Sequence, residues 1–215
     1  MHTVITGATR GIGLELRNQL VAGGANVTGT YRGDAPDGSD WIAMDLGDPA
    51  SIANGAAAIT EPIDLLVCNA GVYLDKGHRL EDGFDAELWA QTFAVNVTGV
   101  FLTIQHLLPR MPQGGKIAII SSQMGSSTRA QGGAYIYRSS KAAVLNLGRN
   151  LACELAPREI PVGIYHPGWV QTDMGGSAAA ITTSEAATGL IARFAELSPD
   201  KTGCFEMWDG TEMPF

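Results

Sequence analysis

Tyr137-Arg138-Ser139-Ser140-Lys141 sets a phenol and an ammonium group four residues apart. On a helix, positions i and i+4 share one face a turn apart, so the two groups would meet. A free tyrosine titrates near ~10 and exchanges protons poorly at neutral pH. A neighbouring cation favours the phenolate, and lowering the pKa by about 3 units takes roughly 4 kcal/mol of differential stabilisation. The pair suits proton transfer to or from a substrate oxygen. Tyr135 is a rival phenol, but its i+4 partner is the uncharged Ser139. Two other polar groups could join the pair. Ser121 and Ser122 close the apolar run Lys116–Ser121 and offer a hydroxyl to a substrate oxygen. Asn96 falls inside a long helix-like segment beside Gly99. There it either caps a helix distortion or holds a water in a proton path.

A second set lies near the start of the chain. An apolar run enters Thr6-Gly7-Ala8-Thr9-Arg10-Gly11-Ile12-Gly13, and an amphipathic stretch follows. Strand, glycine turn and helix N-terminus together bind a pyrophosphate: free N–H groups and the positive end of the helix face the anion, and glycine lets the backbone approach. Gly7, Thr9, Arg10, Gly11, Ile12 and Gly13 are therefore candidate contacts to a dinucleotide. An acid at the end of the second strand would select NAD through the ribose 2′-hydroxyl, whereas arginine accommodates a 2′-phosphate. The strand ends Thr30-Tyr31-Arg32, so Arg32, joined by Arg10, points to NADP(H) over NAD(H). Asp45, followed by Leu46, closes the third strand where the adenine amino group would lie. Asn69-Ala70-Gly71 closes the fourth, and Asn69 either holds backbone or contacts ribose.

These groups need a frame that brings strand ends to one edge. Strand-like runs fall at Thr3–Thr6, Asn26–Tyr31, Trp41–Asp45, Leu65–Asn69, Lys116–Ser121, Pro161–His166 and Cys204–Trp208. Most are apolar throughout, as in strands buried on both faces. Helix-like segments at Ile12–Ala22, Pro49–Ile59, Asp85–Leu108, Ala134–Leu155 and Ser184–Leu197 alternate with them. Alternating βαβα in 215 residues predicts one α/β domain: a Rossmann-type, doubly wound parallel sheet of seven strands in the order 3-2-1-4-5-6-7, with the ligand across the carboxyl edge. Asp75–Gly83 and Gly175–Thr183 read as surface loops. A net charge of −8 argues against nucleic acid or an anionic membrane as partner. Without a basic leader or an apolar stretch near membrane-span length, a soluble cytoplasmic protein is expected. The three cysteines and four histidines have no metal-ligand spacing.

The ordered set TGATRGIG, Asp45, NAG, Asn96, SS, YRSSK and HPGWVQTDM resembles the short-chain dehydrogenase/reductase family over essentially the whole chain. YIYR, HPGWVQTDMGG and the terminal WDGT are most similar to its C-factor and sniffer carbonyl-reductase branch. The resemblance implies a catalytic set of Asn96, a serine, Tyr137 and Lys141. Tyr137 would protonate a carbonyl oxygen as hydride arrives from the nicotinamide, Lys141 would hold the nicotinamide ribose, and Asn96 would anchor a relay water. Pro167, Val170 and Thr172 would contact the carboxamide end of the cofactor. Ser122 precedes Tyr137 by more residues than the serine of the wider family usually does, so the connecting loop must bulge; Ser121 stays open as the alternative. A homodimer through the third and fourth long helices is implied as well, with Phe93, Val100, Leu145 and Leu151 as its apolar residues. The alternative to a carbonyl/alcohol oxidoreductase is a cofactor-binding signalling or regulatory protein with little turnover. Gln123, Met124, Trp169, Met174 and the loop Gly175–Thr183 form an expected substrate lining, largely neutral or apolar.

Overall fold

The apolar runs become seven strands in a computed structural model that describes all 215 residues. They are β1 (His2–Ile5), β2 (Asn26–Tyr31), β3 (Trp41–Ala43), β4 (Leu65–Cys68), β5 (Lys116–Ile120), β6 (Val162–His166) and β7 (Phe205–Met207). All pair in parallel, in the order β3-β2-β1-β4-β5-β6-β7. Successive side chains of a strand point to opposite faces, and this separates two cores. Val4, Leu66, Cys68, Ile117 and Ile119 face one layer; their neighbours Ile5, Leu65, Val67, Ala118 and Ile120 face the other. The first layer holds α2 (Pro49–Ala58), α4 (Val100–Leu107) and α5 (Tyr135–Leu155); the second holds α1 (Gly11–Ala22) and α6 (Thr183–Glu196). Each fully buried Ile or Leu here contributes about 1.5–3 kcal/mol relative to exposure.

The expected helix Asp85–Leu108 forms as α3 (Ala86–Phe93), a π-helical turn over Ala94–Gly99, and α4. Asn96 and Gly99 both lie in the distorted turn. Gly99 is required there because a Cβ would collide with the Leu46 carbonyl. The run Ala86–Arg110 spans 25 residues and contains an 18-residue stretch with a mean hydropathy of 1.2. By length and composition alone this stretch reaches the range of a membrane span, which the sequence reading did not anticipate. Its Asn96, Val100, Ile104 and Leu107 are buried within this domain, so tertiary packing inside the domain already uses its inner face.

Three other details differ from expectation. Helix α6 is capped by Thr182 in a capping box with Glu185, one turn edge earlier than the expected start at Ser184. Asp75 is fully buried and does not belong to a surface loop. Val100, Leu145 and Leu151 are core residues, which removes them as contacts between two copies. Phe93 is only part-buried, and Phe101 is the large apolar side chain that α4 exposes.

Candidate active site

The βα turn after β1 is shaped for close approach. Gly7 has φ +64° and Gly11 has φ +55°, conformations that side chains disfavour. A Cβ on Gly13 would collide with the Gly7 carbonyl and the Asn69 amide. The N-terminus of α1 has no side-chain cap and no acid in its first turn, so its N–H groups stay available to an anion. Asn69 holds this turn from β4: its Nδ2 donates to the Thr6 carbonyl at 3.0 Å and the Gly7 carbonyl at 3.1 Å. Its amide thus performs one of its two expected roles, holding backbone, and the residue also lines the cleft.

From this turn a cleft of about 870 Å³ runs along the carboxyl edge of the sheet. Gly7, Thr9, Arg10, Gly11, Ile12, Gly13, Arg32, Asp45, Leu46, Asn69, Ala70, Gly71, Tyr137, Lys141, Pro167 and Thr172 all line it. Val170 does not; it is buried behind the wall and bridges to Ile181. Of the expected substrate lining, Met174 and Thr183 reach the cleft, whereas Gln123, Met124 and Trp169 lie outside it. Asp45 Oδ1 already accepts the Gly47 N–H at 2.9 Å. Arg10 is paired with Asp173 at 3.0 Å across the cleft mouth, both side chains strongly exposed. Such a screened pair is weak, so an incoming phosphate can take over the guanidinium. Arg32 is exposed on the cleft edge.

The floor of the cleft carries the proton-transfer groups. Tyr137 and Lys141 are both buried on α5, with the Lys141 Nζ 5.7 Å from the centre of the Tyr137 ring. Nζ donates to the Ile120 carbonyl at 3.0 Å. A Cβ on Gly71 would stand 3.4 Å from this Nζ and 3.3 Å from the Asn96 Oδ1, so these three residues converge. Asn96 clamps Val72 from both sides, accepting its N–H at 2.8 Å and donating to its carbonyl at 2.9 Å. Its other amide hydrogen goes to the Ser140 Oγ at 3.0 Å, which in turn donates to the Tyr137 carbonyl at 2.8 Å.

The two serines differ in place and in bonding: Ser121 lines the cleft, whereas Ser122 is not among its lining residues. Ser121 Oγ donates to the Lys141 carbonyl at 3.0 Å, so its proton is spent inside the fold. Ser122 Oγ accepts the Met124 N–H at 3.1 Å and keeps its own proton to donate. Its hydroxyl faces the Tyr137 phenol and favours the phenolate. Burial works against both members of the pair, pushing Tyr137 up to about 12 and Lys141 down to about 8. In the cofactor-free chain, desolvation is the largest influence on the phenol, ahead of the Ser122 hydrogen bond that lowers it and the Tyr73 ring that raises it. At neutral pH, Tyr137 is a protonated donor. Tyr135 is 38% exposed and meets Phe84 edge-on, away from this cluster. His166 is buried and pushed down to about 4, so it adds no positive charge to the cleft.

A family model described as short chain dehydrogenase matches residues 1–181. The chain belongs to the short-chain dehydrogenase family. Among curated relatives, the "C-signal" protein of Myxococcus xanthus is 37% identical over 159 residues, covering 73% of this chain and 95% of that one. Among solved structures, the NADPH-bound carbonyl reductase from chicken fatty liver aligns with a TM-score of 0.89 at 27% identity, covering 100% of this chain and 98% of that one. The carbonyl reductase Sniffer of D. melanogaster gives 0.89 and 27%, with 100% and 99% covered. These likenesses place the chain in the C-factor and sniffer branch of the short-chain dehydrogenases.

Some residues of this short-chain dehydrogenase site escaped the sequence reading. Ser140 links Asn96 to the Tyr137 backbone. The Tyr73 ring stacks on Tyr137, centroids 4.3 Å apart and planes at 20°. Asp75 accepts the Ile136 N–H at 2.8 Å and the Tyr137 N–H at 3.2 Å. One signal pointed towards such an acceptor: the Gly132-Gly133-Ala134 stretch before α5 has no Ser, Thr, Asp or Asn to cap it. A helix start buried without a local cap needs an acceptor from elsewhere.

Proposed function

We propose that this chain is an NADP(H)-dependent oxidoreductase that interconverts a carbonyl compound and an alcohol, with Tyr137 as general acid/base. The observation that carries the reading is the buried Tyr137–Lys141 pair on the floor of a cleft headed by the uncapped glycine turn of α1. The turn suits a pyrophosphate: its glycines leave the space a Cβ would fill, and the first-turn N–H groups are free. Arg10 and Arg32 would take the 2′-phosphate, Asp45 and Leu46 the adenine end, and Pro167 and Thr172 the carboxamide end. NADP(H), when bound, supplies or accepts the hydride.

In reduction, Tyr137 donates its phenolic proton to the carbonyl oxygen, and Ser122 donates a hydrogen bond to the same oxygen. With its native pKa pushed up to about 12, Tyr137 keeps that proton throughout the neutral range. Lys141, pushed down to about 8, is the member of the pair that titrates nearest the working pH. It holds the ribose hydroxyls and, while charged, eases loss of the phenol proton. Asn96 orients the site by clamping Val72 and Ser140, and a relay water would sit against the Oδ1 lone pair left over. The chicken and fly relatives named as carbonyl reductases, one of them NADPH-bound, support the same reaction class.

The test is consumption of NADPH, and in parallel NADH, against a panel of aldehydes, ketones and quinones. Turnover with NADPH is expected. Tight NADPH binding without turnover on any carbonyl would favour a cofactor-binding regulatory role. A cytoplasmic site of action and a homodimer belong to the same reading, and sedimentation showing only monomer at micromolar concentration would remove the dimer.

A further inference from the structure

We propose that Asp75 is a positioning residue for Tyr137, holding the first turn of α5 in register with the segment that braces the glycine turn. The proposal rests on the reading of Tyr137 as the proton donor. Asp75 is fully buried and pairs with no cation. A buried carboxylate is costly unless its oxygens are satisfied. Here both are, by the N–H groups of Ile136 and Tyr137, at the positive end of a 21-residue helix.

Stability alone does not require this arrangement. A Ser, Thr, Asp or Asn just before the helix would cap it without burying a charge, as Asp48, Asp85 and Thr182 do for α2, α3 and α6. Helix α5 is instead entered through Gly132, Gly133 and Ala134, all at positive φ, with Ala134 at +47°. A non-glycine residue there is strained, and no neighbouring side chain caps the turn. The cap comes from a residue about sixty positions earlier in the chain.

What that distant cap adds is a fixed link. The segment Asn69–Asp75 touches three parts of the site in sequence. Asn69 braces the glycine turn, Val72 is clamped by Asn96, and Tyr73 stacks on the Tyr137 ring. Asp75 then ties the end of the segment to the Tyr137 amide. Tyr137 is thus gripped at its N–H by Asp75 and at its carbonyl by Ser140. Releasing the first grip frees the turn that aims the phenol, while the glycine turn stays braced by Asn69.

The experiment compares Asp75→Ala, Asp75→Asn and Asp48→Ala with wild type. Asp48 is an exposed cap of α2 that is not among the residues lining the cleft, and controls for cap loss as such. Asp75→Ala should lower kcat by about 10- to 100-fold, the scale of a small misplacement of a reacting group. KM and NADPH affinity should stay within about twofold of wild type, on the same account of an intact binding turn. Asp75→Asn, which keeps one acceptor, should recover part of kcat, and Asp48→Ala should leave it unchanged. Amide hydrogen exchange reads the grip without any substrate. In Asp75→Ala or Asp75→Asn, protection should fall at Ile136 and Tyr137 but not along the rest of α5. An active wild type whose Asp75 variants keep full kcat, or unchanged protection at those two amides, overturns the assignment. A wild type inactive on every carbonyl sinks the reductase reading instead, and the exchange measurement still decides whether Asp75 holds the turn.

Discussion

Replacing Lys141 by methionine should change how the stability of the cofactor-free protein depends on pH. Lys141 is 5% exposed, and its Nζ has one partner, the Ile120 carbonyl. Burial lowers its pKa from 10.5 to about 8 in the folded chain. Between those values the unfolded chain holds more protons than the folded one, so stability rises with pH across the window. The contribution is present above 10.5 and is lost as pH falls through 8. At about 1.4 kcal/mol per unit, the full change amounts to about 3 kcal/mol. Methionine cannot titrate and fills a similar volume. Urea unfolding of both proteins from pH 7 to 10.5 at constant ionic strength isolates the effect, because all other titrating groups are shared. The wild type should gain about 3 kcal/mol on the variant over that range. Parallel stability curves would refute the argument and would mean that Lys141 is not desolvated as its burial indicates.

Two further substitutions address the cofactor and the serine. Arg32→Asp should abolish or reverse a preference for NADPH over NADH, measured as the ratio of their dissociation constants; equal affinity of the wild type for both would show that the arginines do not select a 2′-phosphate. Ser122→Ala should lower kcat for carbonyl reduction while leaving the fold intact. Ser121→Ala should act mainly on stability, by about 1 kcal/mol for its lost hydrogen bond to the Lys141 carbonyl, and the reverse pattern in kcat and urea unfolding would exchange their roles.

The frame was readable because strands buried on both faces leave unbroken apolar runs, and Val4 to Leu66 to Ile117 is such a ladder of contacts. Right-handed crossovers then leave few orders for seven parallel strands. Tyr137 and Lys141 were readable because helix periodicity alone brings them together. What spacing does not carry is burial. The opposed pKa shifts of Tyr137 and Lys141 come from desolvation by residues distant in sequence, and the helix pattern gives only their proximity. Asp75 was hidden for the same reason: its loop is polar and rich in charge, like any exposed loop, yet its carboxylate is buried against a helix from elsewhere in the chain. Arg10 illustrates the reverse case, a cation placed well by motif but paired with Asp173, which only the fold brings near.

The central claim is tested most directly by comparing Tyr137→Phe with Tyr135→Phe in NADPH-dependent reduction of a carbonyl substrate. Tyr137 is buried against Ser122 and Lys141, whereas Tyr135 is exposed and packs on Phe84. Tyr137→Phe should lose ~10²–10⁴-fold in kcat, the usual worth of general acid catalysis, with NADPH affinity nearly unchanged. Tyr135→Phe should stay close to wild type. A Tyr137→Phe protein that retains full turnover, or a dead Tyr135→Phe protein beside an active Tyr137→Phe one, would contradict the account.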